Sequence, residues 1–156
     1  MISRSAPLVV AVVVLLLVAL VGCSSQPAPS GSDPAGRLAG LIGTAWRVVS
    51  VGGRAPIPGA VPTATFSADR VTGSGGCNMY GGRYLYDPTS GRIELRDLGA
   101  TAMACLEAPR NDFEAAYLQA LGRVDLATVD LTGRLTLSGP GGVVVLEVDP
   151  QRAVEG

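Results

Sequence analysis

Three cysteines have the widest chemical reach in this chain: Cys23 closes a short apolar leader, while Cys77 and Cys105 lie in the polar body. A thiol at the end of a leader is a lipid attachment point. Two thiols in an exported body form a disulfide or, left reduced, stay as free buried cysteines, bind metal or exchange electrons. The chain has no histidine. That removes imidazole general bases, Ser-His-Asp and Cys-His nucleophile pairs, and His-ligated metals. A two-cysteine metal site therefore lacks its usual partners, and the pair lacks the Cys-x-x-Cys spacing that tunes redox reactivity. No cofactor, metal site or catalytic residue is expected.

The leader sets the compartment. Arg4 supplies a positive start, and Leu8 to Val21 run without a charge before Gly22-Cys23. These 14 residues (21 − 8 + 1) fall short of the roughly 20 that span a bilayer as a helix. They suit the apolar core of a secretory signal peptide with a small residue before the cut. Residues 1–22 read as that signal peptide. Leu20-Val21-Gly22-Cys23 resembles the lipobox of bacterial lipoproteins, in which the cysteine thiol receives a diacylglyceryl group, is further fatty-acylated with palmitate-type chains, and becomes the new N-terminus. Several chains are needed, because one holds a protein only weakly. The expected location is the extracytoplasmic side of the cell membrane, lipid-anchored through Cys23.

Residues 23–36 shift to Ser, Pro, Gly and Ala, with too few apolar side chains to offset the entropy of ordering. They read as a flexible tether. Residues 37–149 provide one domain of ordinary size, and residues 150–156 a short tail. All 12 basic residues are arginine, they are scattered, and the net charge is −1. The electrostatic footprint of a nucleic-acid binder is absent, and no nucleic-acid partner is expected.

Within the domain the pattern is one of short strands. Trp46 to Val51 breaks at Gly52-Gly53. Thr63 to Phe66 and Val71 to Ser74 flank a polar turn, and Arg83 to Tyr86 and Arg92 to Leu98 flank Asp87-Pro88-Thr89-Ser90-Gly91. Ile93, Leu95 and Asp97 alternate with Arg92, Glu94 and Arg96, which predicts one inward and one outward face. Val124 to Leu131, Arg134 to Ser138 and Val143 to Val148 complete eight strands. One helix is predicted from Asp112 to Leu121, opened by Asn111 as N-cap with Glu114 completing a capping box. Phe113, Tyr117, Ala120 and Leu121 form its apolar stripe. The fold class is mainly β (α+β): a curved or barrel-like antiparallel sheet of about eight short strands with one helix.

Other chemistry-bearing residues have structural explanations. Gly73, Gly75, Gly76, Gly81 and Gly82 surround Cys77 and Asn78 and let the backbone turn sharply, but they open no helix and do not continue as a phosphate-binding fingerprint. Glu94, Asp125 and Asp130 read as a solvated face rather than a catalytic pair. Trp46 and Phe66 are expected in the core, with Tyr80, Tyr84 and Tyr86 dressing a sheet edge rather than forming an aromatic binding surface.

Gly43-Thr44-Ala45-Trp46, then Gly76-Cys77-Asn78-Met79-Tyr80-Gly81-Gly82, then Thr101-Ala102-Met103-Ala104-Cys105, then Glu114 together resemble the META/HslJ domain family. The residues that carry the resemblance are Trp46, Gly76, Asn78, Tyr80, Gly82, Thr101 and Met103, with both body cysteines. It implies a small, mainly β domain common on bacterial envelope lipoproteins, linked to heat-shock or envelope-stress contexts, with no general catalytic activity. The expected function is a non-enzymatic envelope lipoprotein that binds an envelope protein partner or maintains the envelope under stress. The alternative is a carrier holding a small apolar ligand in a barrel-like cavity.

A Cys77–Cys105 disulfide would close a loop of 29 residues (105 − 77 + 1), worth about 3.5 kcal/mol by chain entropy. Intact mass before and after reduction with alkylation is expected to reveal one protected pair in the mature protein. Two thiols alkylated without reduction would exclude the bridge.

Overall fold

The structure, a computed structural model, describes residues 41–103, 105 and 107–151. The signal peptide, Cys23, the tether and the last five residues of the tail lie outside the described residues. Eight strands appear: β1 (Ala45–Val51), β2 (Thr63–Phe66), β3 (Arg70–Ser74), β4 (Met79–Tyr86), β5 (Ile93–Ala100), β6 (Leu126–Val129), β7 (Leu135–Gly139) and β8 (Gly142–Val148). Helix α1 (Ala108–Leu121) falls between β5 and β6.

The strands form one antiparallel sheet in the order β5-β4-β3-β2-β1-β8-β7-β6. Consecutive strands pair except β5 and β6, which flank the helix in sequence and lie at opposite edges; β8 returns to pair with β1, placing first and last strands at the centre. The sheet curls into a half-barrel whose edges meet at one point. There the Ile93 amide donates to the Asp125 carbonyl at 3.2 Å and the Ala127 amide to the Gly91 carbonyl at 2.8 Å.

Strand alternation sends Val48, Phe66, Val71, Leu137, Val144 and Leu146 inward, where α1 covers them with Phe113, Tyr117, Ala120 and Leu121. All four helix residues of the predicted stripe are buried, and Trp46 and Phe66 are in the core. Side chains fill the interior. Two grooves, of about 430 and 460 Å³, lie on the β5 side of the described residues and open to solvent between mixed polar and apolar walls. Neither of these two grooves encloses an apolar ligand.

Four expectations are corrected. Strand β4 begins at Met79 rather than Arg83, because glycines weaken a strand without removing backbone donors: Gly81 and Gly82 pair with Thr72 and Val71. Asp97 does not face inward. Two steps along β4 from Gly81 to Arg83 match three along β5 from Gly99 to Arg96, and the extra residue forms a bulge with Asp97 at φ 53°. The helix starts at Ala108, with Glu107 as N-cap and Pro109 in the first turn, where a missing N–H costs nothing.

The tyrosines are the fourth correction, since Tyr80 and Tyr84 are buried and Tyr86 partly so. The Tyr80 hydroxyl donates to the Thr63 carbonyl at 2.8 Å and meets the Tyr117 hydroxyl at 2.7 Å. The Tyr84 hydroxyl donates to the Ser67 carbonyl at 2.6 Å, and its ring packs edge-on against Phe66 with centroids 5.3 Å apart. A phenol with a backbone acceptor at its tip is a core residue, because the hydrogen bond offsets the desolvation of its one polar atom.

Burial pushes the Tyr80 and Tyr117 phenols well above the ordinary value of 10.0, and burial with Asp87 nearby pushes Tyr86 up to about 12. A phenol raised in the folded state contributes stability that is fully present below the unfolded value of about 10 and is lost as pH rises through the folded one. Alkaline titration followed at 295 nm should show Tyr80 and Tyr117 ionising only with cooperative unfolding above pH ~10. Independent ionisation of all four tyrosines near that pH, with the fold intact, would contradict the burial.

Candidate functional site

Four of the residues that the family motif singles out, Gly76, Asn78, Thr101 and Met103, converge around one carboxylate. Glu114 projects from the first turns of α1 and is only 6 % exposed. Its Oε1 accepts from the Asn78 amide at 2.6 Å and the Cys77 amide at 3.2 Å, and its Oε2 accepts from Asn78 Nδ2 at 2.7 Å. The loop between β3 and β4 must come close to make these bonds. A Cβ on Gly75 would overlap the Glu114 carboxylate, and Gly76 holds φ 112° with the Ala60 carbonyl 2.7 Å from where a Cβ would stand. Glycine is required at both positions, for space at the first and for backbone conformation at the second.

Asn78 passes the connection on to the segment that leads into α1. Its Oδ1 accepts from the Met103 amide at 2.7 Å and the Thr101 hydroxyl at 2.9 Å, and its Nδ2 donates a second bond, to the Met103 carbonyl at 3.1 Å. Every hydrogen-bonding site of this buried amide is occupied, as low dielectric demands. Thr101 Oγ1 also accepts from the Met79 amide at 3.2 Å. Cys77 and Cys105 form a disulfide across the same gap, with Cα atoms 5.8 Å apart. Cys105 Sγ lies 3.8 Å from Glu114 Oε2.

Gly76, Asn78, Thr101 and Met103 are thus brought together with both cysteines. Tyr80 lies next along β4 and reaches α1 through Tyr117. Gly82 and Trp46 stand apart. Gly82 faces the β5 bulge, where a Cβ would come 2.8 Å from the Arg96 carbonyl. Trp46 is a core residue of β1 whose indole N–H has no partner among the described residues. Glu94, Asp125 and Asp130 are exposed: Glu94 and Asp125 line the same open groove, where Glu94 pairs with Arg96, which holds its carboxyl below the usual range, and Asp130 stands apart and caps the β6–β7 turn.

Glu114 is the residue whose role sequence reasoning missed. Its reading as half of a capping box fails because Asn111 is not the N-cap; Asn111 Nδ2 instead donates to the Cys105 carbonyl at 3.3 Å. The signal was present: Glu114 stands at i, i+3 and i+7 with Tyr117 and Leu121, on the buried stripe itself. Cys77, Cys105 and Glu114 have the donor types of a metal site and lie within 4.8 Å of one another. With the thiols oxidised to a disulfide and the carboxylate engaged by three N–H groups, these atoms have no free ligand set to offer.

Fold and knot together define a small mixed-β module in which a disulfide and a buried carboxylate fix two motif segments against a helix. The META domain family matches residues 39–151, and the chain belongs to that family. Among solved structures, an NMR structure of a protein from Burkholderia xenovorans is 29% identical, covering 81% of this chain and 95% of that one with a TM-score of 0.61. A second NMR structure, 23% identical with a TM-score of 0.53, covers 67% of this chain and 88% of its own and shares the fold. No curated protein matches this chain.

Replacing Glu114 with Ala would strand three buried donors at about 1–3 kcal/mol each. The oxidised Glu114→Ala protein should lose roughly 3–5 kcal/mol in urea unfolding, and Glu114→Gln, which keeps one acceptor oxygen, less. A Glu114→Ala protein within ~0.5 kcal/mol of wild type would show the carboxylate to be dispensable.

Proposed function

We propose that the protein is a non-enzymatic, lipid-anchored binding module of the cell envelope, acylated on Cys23 and working through the face around the Asn78 knot. One observation carries this reading. The knot is rigidly held from below, yet Met79 and Met103, which flank it, are 54% and 59% exposed. Methionine adapts its shape to irregular partners, and a fixed backbone beneath it limits the entropy lost on binding. Core packing does not account for two large apolar side chains held out beside a disulfide.

The envelope location is supported by the Leu20-Val21-Gly22-Cys23 leader and the oxidised Cys77–Cys105 pair, since structural disulfides persist in oxidising compartments. Among the described residues no helix is long and apolar enough to cross a membrane. Attachment in this reading is by acyl chains, and the partner is an envelope protein, with maintenance of the envelope under stress as the setting.

The test places a photo-crosslinking residue at Met79 or Met103 in the full-length protein in its native envelope, followed by mass spectrometry of the adducts. A discrete partner is expected from these positions and not from one on exposed Leu131. A lone, unlinked monomer at every position would contradict a binding role.

A further inference from the structure

Strand register places Ile42, Leu131 and Val148 at one end of the sheet, Met79, Met103 and Val143 at the other, and Leu85 along β4 opposite Glu94. Met79 and Met103 belong to the end where Ser74 pairs with Met79. At the other end, Ile42 bridges to Phe66 as the chain enters the fold. Val148 pairs with Trp46 and lies two residues beyond the Leu135–Leu146 pair, level with the β6–β7 turn that carries Leu131. Ile42, Val148 and Leu131 are 53%, 48% and 83% exposed. Leu131 is not a loose tip: the Asp130 carboxylate accepts from the Thr132 amide at 2.8 Å and the Arg134 amide at 3.0 Å, so the turn holds the leucine outward. These elements sit on adjacent strands spaced about 4.8 Å apart, and the three side chains share one end of the domain.

The geometry points to a bilayer-docking end: Ile42, Leu131 and Val148 rest in the lipid interface and turn the Asn78 knot away from the membrane. This rests on the proposed acylation of Cys23. The chain joins the domain at Leu41, beside Ile42, only 18 residues from Cys23 (41 − 23). Even a fully extended chain of that length reaches no more than about 65 Å. An anchored domain is thus held within that distance of the surface, with this end next to its point of attachment along the chain, at an effective concentration that lets a weak contact form. Three apolar side chains bind lipid too weakly alone and suffice as the second signal beside an anchor. Charge does not drive the contact, because the nearby Arg47 and Arg134 both engage Glu147.

The experiment uses the full-length lipidated protein in vesicles of phosphatidylcholine and phosphatidylglycerol, three to one, with an NBD fluorophore on Leu131→Cys or, at the opposite end of β8, on Val143→Cys. Both positions are exposed, so neither label disturbs the core. Flotation of the vesicles reports anchoring, and NBD emission, iodide access and quenching by brominated lipid report contact. Flotation with blue-shifted emission, lost iodide access and brominated-lipid quenching at 131 but not at 143 is the expected result. Flotation with both labels equally open to iodide overturns the docking end and leaves the anchor standing. Protein that does not float overturns the acylation reading and the docking end with it. Shielding at 131 that disappears on dilution of protein in lipid shows a contact between copies and also overturns the proposal.

Discussion

Everything distinctive in this domain depends on one buried carboxylate. Glu114 enters the interior at a desolvation cost that its three N–H donors offset. Those donors come from residues 77 and 78, so the β3–β4 loop must fold down onto α1. Once Asn78 is in place, its amide orders Thr101 and Met103 from the other side. The disulfide then lowers the entropy of the unfolded chain across the same contact. Removing the acid would leave the two segments joined to each other by the bridge and by the Asn78 bonds, with residues 77 and 78 no longer tied to α1.

The sheet supplies the frame in which that contact can form. Pairing of β1 with both β2 and β8 closes the centre early and late in the chain, and glycine at 82 lets β4 and the β5 bulge approach closely. Tyr80 and Tyr117 couple the knot to the core, because their hydroxyls share the Thr63 carbonyl below it. Rigidity at the motif face is thus continuous with the packing beneath it, and the exposed methionines stand on a fixed base.

Much of this was legible in the residues. Turn chemistry at Ser67 to Arg70 and Asp87 to Gly91 marks two hairpins, and Phe113, Tyr117, Ala120 and Leu121 declare a buried helix face before any coordinates are seen. What escaped was decided by tertiary contact. Gly81 and Gly82 look like loop residues until their neighbours across β3 and β5 are known. Asp97 fits an alternating strand until a bulge shifts it. Glu114 satisfied a local capping rule so well that its place on the apolar stripe went unread, and the tyrosines gave no sign of the backbone carbonyls waiting for their hydroxyls. Family motif, Glu114 and cysteine pair were readable as a set; the bonds by which Glu114 holds residues 77 and 78 were not.

The central claim is that the Cys77 and Asn78 amides are locked by Glu114 as firmly as the core is locked. Native-state hydrogen exchange measures this directly on the unmodified oxidised protein. Amides of residues 77 and 78 exchanging only through global unfolding, at the same free energy as Phe66 and Leu137, is the result this structure predicts. Exchange at the rate of an open surface loop, while those core amides stay protected, would contradict it.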